Sequence, residues 1–367
     1  MFEQISLDIM LLLMLYAVGT TVSAIACIYL LFRRGNAFAP RINTPHRLRR
    51  WTAVFFGVMA LGHLWYLPSL ACTTSDDIML CMIIGGLLDC LLTVPVALVV
   101  MLCMLQDRRR PLWPVGVAVA PLVIMMVISA ILRSYVLLPW LQVYFLLMAV
   151  AFTVYMVRAV QMYGRWLRDN YADLENKEVW KSLLVIAAIM LMFGYYVMGY
   201  GGITYEYIIQ VCGILLVCQL LWRVETLSNL TPIPSSTGEG GDYDTDEDTT
   251  YLDIDQLLNE HCEATQLYLQ HDLTVSQLAQ ELGTNRYYLS QYFAGQGTTY
   301  NAYINMLRID HFVSLYHEAV ASGQPISAKH FAARSGYRSY STFSLAFKQR
   351  MGLSVTVWMD NENNNQN

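Results

Sequence analysis

Residues 205–227 read YEYIIQVCGILLVCQLLWRVETL, and residues 228–250 read SNLTPIPSSTGEGGDYDTDEDTT. The first stretch is long and apolar enough to cross the roughly 30 Å hydrocarbon core of a bilayer. The second has almost no large apolar side chain and ends in an acidic run, so it reads as a flexible linker. Residues before this break are apolar like the first stretch, and residues after it are polar with helical spacing. That pattern predicts an all-α fold. A transmembrane helical bundle is expected over 1–227 and a soluble helical domain over 251–359, with the linker 228–250 between them and a disordered polar tail over 360–367.

The whole-chain composition averages these two populations. Of 367 residues, 56% are hydrophobic and 14% charged, which excludes an ordinary soluble chain. The net charge of −5 says little, because acids and bases lie in different regions. Eight cysteines are scattered without a CxxC pair or His partners at metal spacing, so no metal is expected, and no cofactor is expected either. Cys72 and Cys81 are close enough in sequence to pair in an oxidising compartment, with two free thiols as the simpler reading.

About seven stretches are long and apolar enough to span: 7–32, 51–70, 78–105, 113–132, 136–162, 180–200 and 205–227. Alternate loops carry the cations. Arg33, Arg34, Arg41, Arg47, Arg49 and Arg50 come after the first stretch, Arg108–Arg110 after the third, and Arg165, Arg168 and Lys177 after the fifth. The intervening loops are acidic or neutral apart from Arg133. Cytoplasmic loops are the basic ones, which puts the N-terminus outside and the C-terminal domain in the cytoplasm. Trp51, Trp113, Trp180 and Trp222 then fall at inner interfaces, and Trp65 and Trp140 near outer ones, as aromatic belts do. The outer loops are too short for a separate sensor domain, so a stimulus has to be read within the bundle, at its outer mouth or from lipid. Ionisable groups inside spans mark sites. Asp89, His63, Tyr66 and Tyr196, with Tyr144 and Glu206 nearby, form the candidate sensor or ligand pocket, and Pro95 is expected to loosen the helix below Asp89. Packing is the plainer role for the same residues.

After residue 251 the spacing turns helical. In 273–283 (LTVSQLAQELG), Thr274 and Gln277 stand at capping-box spacing and glycine ends the run. A second helix over 285–293 comes after a very short turn, the pattern of a helix-turn-helix unit. Leu289 and Phe293 face inward there, which turns Tyr287, Ser290 and Gln291 outward with Arg286 at the edge. A long amphipathic helix over 299–319 leads to a repeat of the pattern over 327–335 and 339–350. In that repeat Phe343 and Phe347 face inward, while Ser341, Thr342, Leu345 and Lys348 face outward beside Arg338 and Ser339. Two such units on one connecting helix suit successive major grooves, about 34 Å apart along B-DNA.

This stretch resembles the DNA-binding domain of the AraC/XylS family of bacterial transcription regulators. The resemblance covers roughly the last hundred residues before the tail and rests on LTVSQLAQELGTNRYYLSQYF and SGYRSYSTFSLAFKQRMGLSVTVW. In the second segment the signature positions are Gly336, Tyr337, Ser339, Phe343, Ser344, Ala346, Phe347, Lys348 and Gly352. The resemblance implies promoter binding by dimers or paired half-sites, with the membrane bundle in the sensor position. Two positions depart from the family pattern: Val355 stands where proline is usual, and apolar Leu345 sits on the second reading helix, where it can still meet a thymine methyl. Between residues 273 and 359, seven bases against three acids leave a net +4, a light charge for gripping phosphates alone. The function expected is therefore a one-component regulator of the bacterial inner membrane, a multi-pass homodimer on double-stranded promoter DNA that responds to a lipid or small-molecule signal. The alternative is a receptor or transporter whose C-terminal helices dock a protein. No catalytic motif stands out, so no enzyme is expected.

Overall fold

The computed structural model describes residues 7–33, 35–40, 42–62, 64–184, 187–188, 203–230 and 254–366. Two compact units divide the chain. One comprises Met1–Tyr163 with Asn176–Pro232, and the other Gly164–Glu175 with Ile233–Asn367.

In the first unit the helices are α1 (Leu7–Phe32), α2 (His46–Gly62), α3 (Ser75–Leu88), α4 (Val94–Cys103), α5 (Trp113–Leu132), α6 (Leu138–Asn170) and α7 (Ile203–Thr226). The last seven residues of α6 belong to the second unit. Among the described residues five helical stretches are long and apolar enough to cross a membrane: Met10–Phe32, Ser75–Cys103, Trp113–Leu132, Leu138–Asn170 and Glu206–Thr226. About seven were expected. The second of these is α2, which at 17 residues is short for a span, and the sixth, 180–200, lies mostly outside the described residues. Apolar side chains point outward, as Leu147 (62% exposed) and Ile131 (76%) do. Water does not tolerate so continuous an apolar exterior, whereas hydrocarbon does.

Local chemistry sets the helix ends. Thr74 caps α3 by accepting from the Asp77 amide, and Arg133, in the left-handed region at φ 45°, closes α5 before Leu138 opens α6. The expected third span is a single helical path made of α3, one π turn over Asp89–Thr93, and α4. Pro95 supplies no N–H and its ring crowds the carbonyl four residues back, so the wider turn just ahead of it relieves the clash. At one end, α1, α2 and α7 are tied by the buried Glu225, whose Oε2 accepts from the amides of Ala37 (2.8 Å) and Phe38 (2.9 Å). The first residues of the expected linker 228–250 are held in place. Gln106 Nε2 donates to Ser228 O (2.9 Å) and its Oε1 accepts from Leu230 N (2.8 Å), so residues 228–230 are anchored; the rest of the acidic stretch, from residue 231, lies outside the described residues.

The second unit contains α8 (Val275–Glu281), α9 (Arg286–Gly295), α10 (Tyr300–Ala321), α11 (Ala328–Arg334), α12 (Tyr340–Met351) and α13 (Val355–Gln366). Helix α10 runs between two cores. The first gathers Leu278, Leu289, Phe293, Tyr300 and Ile304, with Ile254, Leu258 and Cys262 from a helical segment over 254–263. The second gathers Phe312, Phe331, Phe343, Phe347 and Trp358. Burial of this apolar surface is the main force holding each core together. Val355, where the family pattern has proline, is fully buried in the second core. Gly352, at φ 73°, makes the left-handed turn before it, so the closing turn forms without the proline. The tail expected to be disordered is instead helical as far as Gln366, where Tyr316 Oη donates to Asn363 Oδ1 at 2.8 Å.

Candidate nucleic-acid interface

Both helix-turn-helix units are built by side-chain caps and glycine turns. Thr274 and Gln277 form the reciprocal capping box that starts α8, and Gly283 at φ 65° turns the chain. Asn285 then caps α9 by accepting from Tyr287 N. In the second unit Ser327 caps α11, Gly336 at φ 85° makes the turn, and Ser339 caps α12. Caps of this kind satisfy amides that would otherwise be orphaned at a helix start. Gly336 is demanded twice over. A Cβ there would sit 2.8 Å from Leu269 O, and the φ itself disfavours any side chain.

The outward residues of α9 fall on one surface. Tyr287 is 53% exposed, and Gln291 Nε2 donates to its hydroxyl at 2.7 Å. Ser290 is half-buried beside them. Arg286, the first residue of α9, is half-buried; desolvation lowers its pKa, while the Tyr171 phenol and the Asp169 carboxylate nearby favour its charge. On α12, Leu345 (62% exposed), Lys348 and Ser341 face solvent. Thr342 is half-buried, and its Oγ1 donates to Glu175 Oε2 at 3.4 Å. Ser339 is occupied as the cap, bonded to Thr342 N at 3.3 Å, and Arg338 is ion-paired with Asp272.

Three further residues with structural weight were not evident from the pattern. Arg308 is 1% exposed on α10, with Nε donating to Tyr268 O (2.7 Å) and Nη2 to Gln270 O (2.7 Å). Its guanidinium lies over the Tyr337 ring at 5.5 Å, so the arginine bolts the approach to α8 onto the helix that joins both units. Ala172 and Asp173 come from the segment after α6. Ala172 is buried in the first core, and Asp173 is buried with its Oδ1 accepting from Glu175 N at 2.9 Å. The only sequence signal for that segment is three carboxylates within 169–175, with no base, in an otherwise basic loop.

In the first unit the structure brings two of the candidate sensor residues together. Asp89 Oδ2 accepts from Tyr66 Oη at 2.6 Å and its Oδ1 from Thr93 Oγ1 at 2.9 Å. Gly85 makes room for that ring, since a Cβ there would lie 2.2 Å from Tyr66 Cε1. His63 and Tyr196 lie outside the described residues. Tyr144 donates to Ala118 O at 2.8 Å and packs between α5 and α6. An apolar cavity of about 570 Å³ lies elsewhere, lined by Leu98, Met101, Phe152, Met156 and Trp180 and not by Asp89 or Tyr66. Cys72 and Cys81 are free thiols in hydrogen-bond contact, with sulfurs 3.6 Å apart.

Comparison with curated proteins and with solved structures finds no match for the chain. The family model of a helix-turn-helix domain does match, over residues 262–361. That range takes in both capped units and most of α13, and it supports reading the C-terminal helices as a DNA-binding domain of AraC type.

Proposed function

We propose that this chain is a membrane-embedded, one-component transcription regulator, whose bundle detects a signal and whose C-terminal domain binds promoter DNA in the cytoplasm. The observation that carries this reading is the coexistence, in one chain, of long lipid-compatible helices and two capped helix-turn-helix units on a single connecting helix. Base reading falls to Gln291, Ser290, Tyr287 and Arg286 on α9, and to Ser341, Thr342 and Leu345 on α12. Lys348 faces the phosphates, while Ser339 and Arg338 hold the start of α12 in place. Lys329, Arg334 and Lys348 are exposed cations of a lightly charged domain, alongside the exposed but ion-paired Arg338 and Arg350, so tight binding calls for two copies acting together. Asp89 with Tyr66 is the proposed polar element of the signal pocket, and a coupling of about 1–3 kcal/mol between that pocket and the DNA face would change occupancy some 5–150-fold.

Genome-wide crosslinking of the full-length protein tests the proposal. Enrichment at a small set of promoters is expected, and a uniform profile identical to that of a Gln291→Ala/Lys348→Ala double variant would count against it. The exposed apolar pair Tyr287 and Leu345 favours a second reading, a protein-docking face. That reading calls for co-purification of a defined partner that Leu345→Lys abolishes.

A further inference from the structure

Helix α6 does not stop at the border of the first unit. Its last turns and the residues after it, Gly164–Glu175, are part of the second unit. Their attachment there is specific. Ala172 N donates to Leu273 O at 3.1 Å, and Tyr171 makes an isolated antiparallel bridge with Thr274, the cap of α8. Asn301 Nδ2, at the start of α10, donates to both Tyr171 O (3.1 Å) and Ala172 O (2.7 Å). The Ala172 side chain is buried in the first core. From this anchor the segment reaches the N-terminal ends of both second helices, with Asp169 and Tyr171 near Arg286 of α9 and Glu175 against Thr342 of α12.

Those two ends are the parts of a helix-turn-helix unit that enter the major groove. The segment placed there is acidic, with Asp169, Asp173 and Glu175 and no base over 169–175. Asp173 adds an independent sign. It is buried, and its Oδ2 meets no hydrogen-bond donor among the described residues. A buried carboxylate is costly unless the surroundings favour negative charge, and here Arg308 and Tyr337 lie close by. This part of the domain therefore accommodates an anion. In the docked form the anion is the chain's own carboxylates.

We infer that Gly164–Glu175 and duplex DNA are alternative occupants of one face of the helix-turn-helix domain, the segment holding the reading ends until it is displaced. The inference rests on the DNA-binding reading above. Side chains of the segment beside Arg286 and Thr342, at the starts of α9 and α12, occupy space that a phosphate backbone needs, and its carboxylates repel one. Because the occupant is continuous with α6, a shift of that helix is transmitted to the DNA face through the chain itself.

The test uses full-length protein in lipid nanodiscs, with random-sequence duplex DNA at low salt as the probe. Asn301→Ala removes two anchoring bonds, Glu175→Gln removes one carboxylate, and Glu281→Gln neutralises an exposed carboxylate on α8 as a charge control. Asn301→Ala should tighten binding by about tenfold and Glu175→Gln by less, with Glu281→Gln near wild type. In the wild type, hydrogen exchange at the Ala172 amide should speed up on saturation with DNA. Equal affinities together with an unchanged Ala172 exchange rate at saturation would overturn the inference and leave DNA binding intact. Tightening by Glu281→Gln equal to that by Glu175→Gln would overturn it as well. Absence of DNA binding by every variant, even with the heads crosslinked as dimers, would remove the DNA reading and the inference together. Should Asn301→Ala fail to fold, Glu175→Gln and the wild-type exchange measurement still decide.

Discussion

The two units treat the same kind of side chain in opposite ways. In the bundle many leucine, isoleucine and valine side chains point outward, as Leu146, Leu147 and Val150 do along α6. In the helix-turn-helix domain the large apolar groups are aromatic and closed in, Phe312, Phe343 and Phe347 being fully buried. Polar groups are reversed as well. The domain spends its Ser, Thr and Asn on helix caps at the surface, whereas the bundle keeps a few, such as Asp89 and Glu225, for bonds between or within helices. In lipid the backbone has to satisfy itself and apolar surface costs nothing, so helix identity comes from length. In water, burial and capping do that work.

Matched substitutions are the severest way to break this contrast. Phe347→Ala should destabilise the domain by about 3–5 kcal/mol, while Leu147→Ala on the exposed face of α6 stays within about 0.5 kcal/mol. Denaturant titration of both variants in nanodiscs checks this, and equal costs would abolish the distinction. Gly336→Ala comes next, at about 1–3 kcal/mol, because it imposes a side chain on a left-handed backbone that also approaches Leu269. The same melts measure it, with Gly116→Ala, which meets open space on α5, as the mild counterpart. For function, Gln291→Ala should lose about 1–3 kcal/mol of base discrimination while keeping random-sequence affinity, whereas Lys348→Ala should weaken all sequences alike and reduce the salt slope by about one. Competition binding across salt concentrations separates them. Smallest is Thr274→Ala, about 1 kcal/mol from the lost capping box, seen as a lower domain melting temperature.

Periodicity and caps were the legible part. Thr274, Asn285, Thr299, Ser327 and Ser339 each stand at a helix start, and the inward pairs Leu289/Phe293 and Phe343/Phe347 are buried as their four-residue spacing requires. Helices long and apolar enough to cross a membrane were equally plain where the runs exceed 20 residues, and less so at α2, where a 17-residue helix falls below that length. The long-range contacts were not legible. Nothing in local spacing says that Arg308 reaches carbonyls 38–40 residues away, or that Ala172 completes a core built from residues after 250. Such contacts depend on tertiary closure, and a buried arginine or a lone alanine leaves no periodic trace. The tail went the same way. Its asparagines suggested disorder, but Tyr316 and the preceding Trp358 hold the helix in place.

On the proposed DNA-binding reading, the Arg308 bolt also has a meaning for the operator. With the approach to α8 fastened to α10, and α10 running unbroken into the second core, the two reading ends behave as a rigid ruler of fixed length. A promoter that inserts about five base pairs, half a helical turn, between the two bound tracts would turn one of them to the far side of the duplex. Helix α10, unbroken over Tyr300–Ala321, offers no break among the described residues with which to track it.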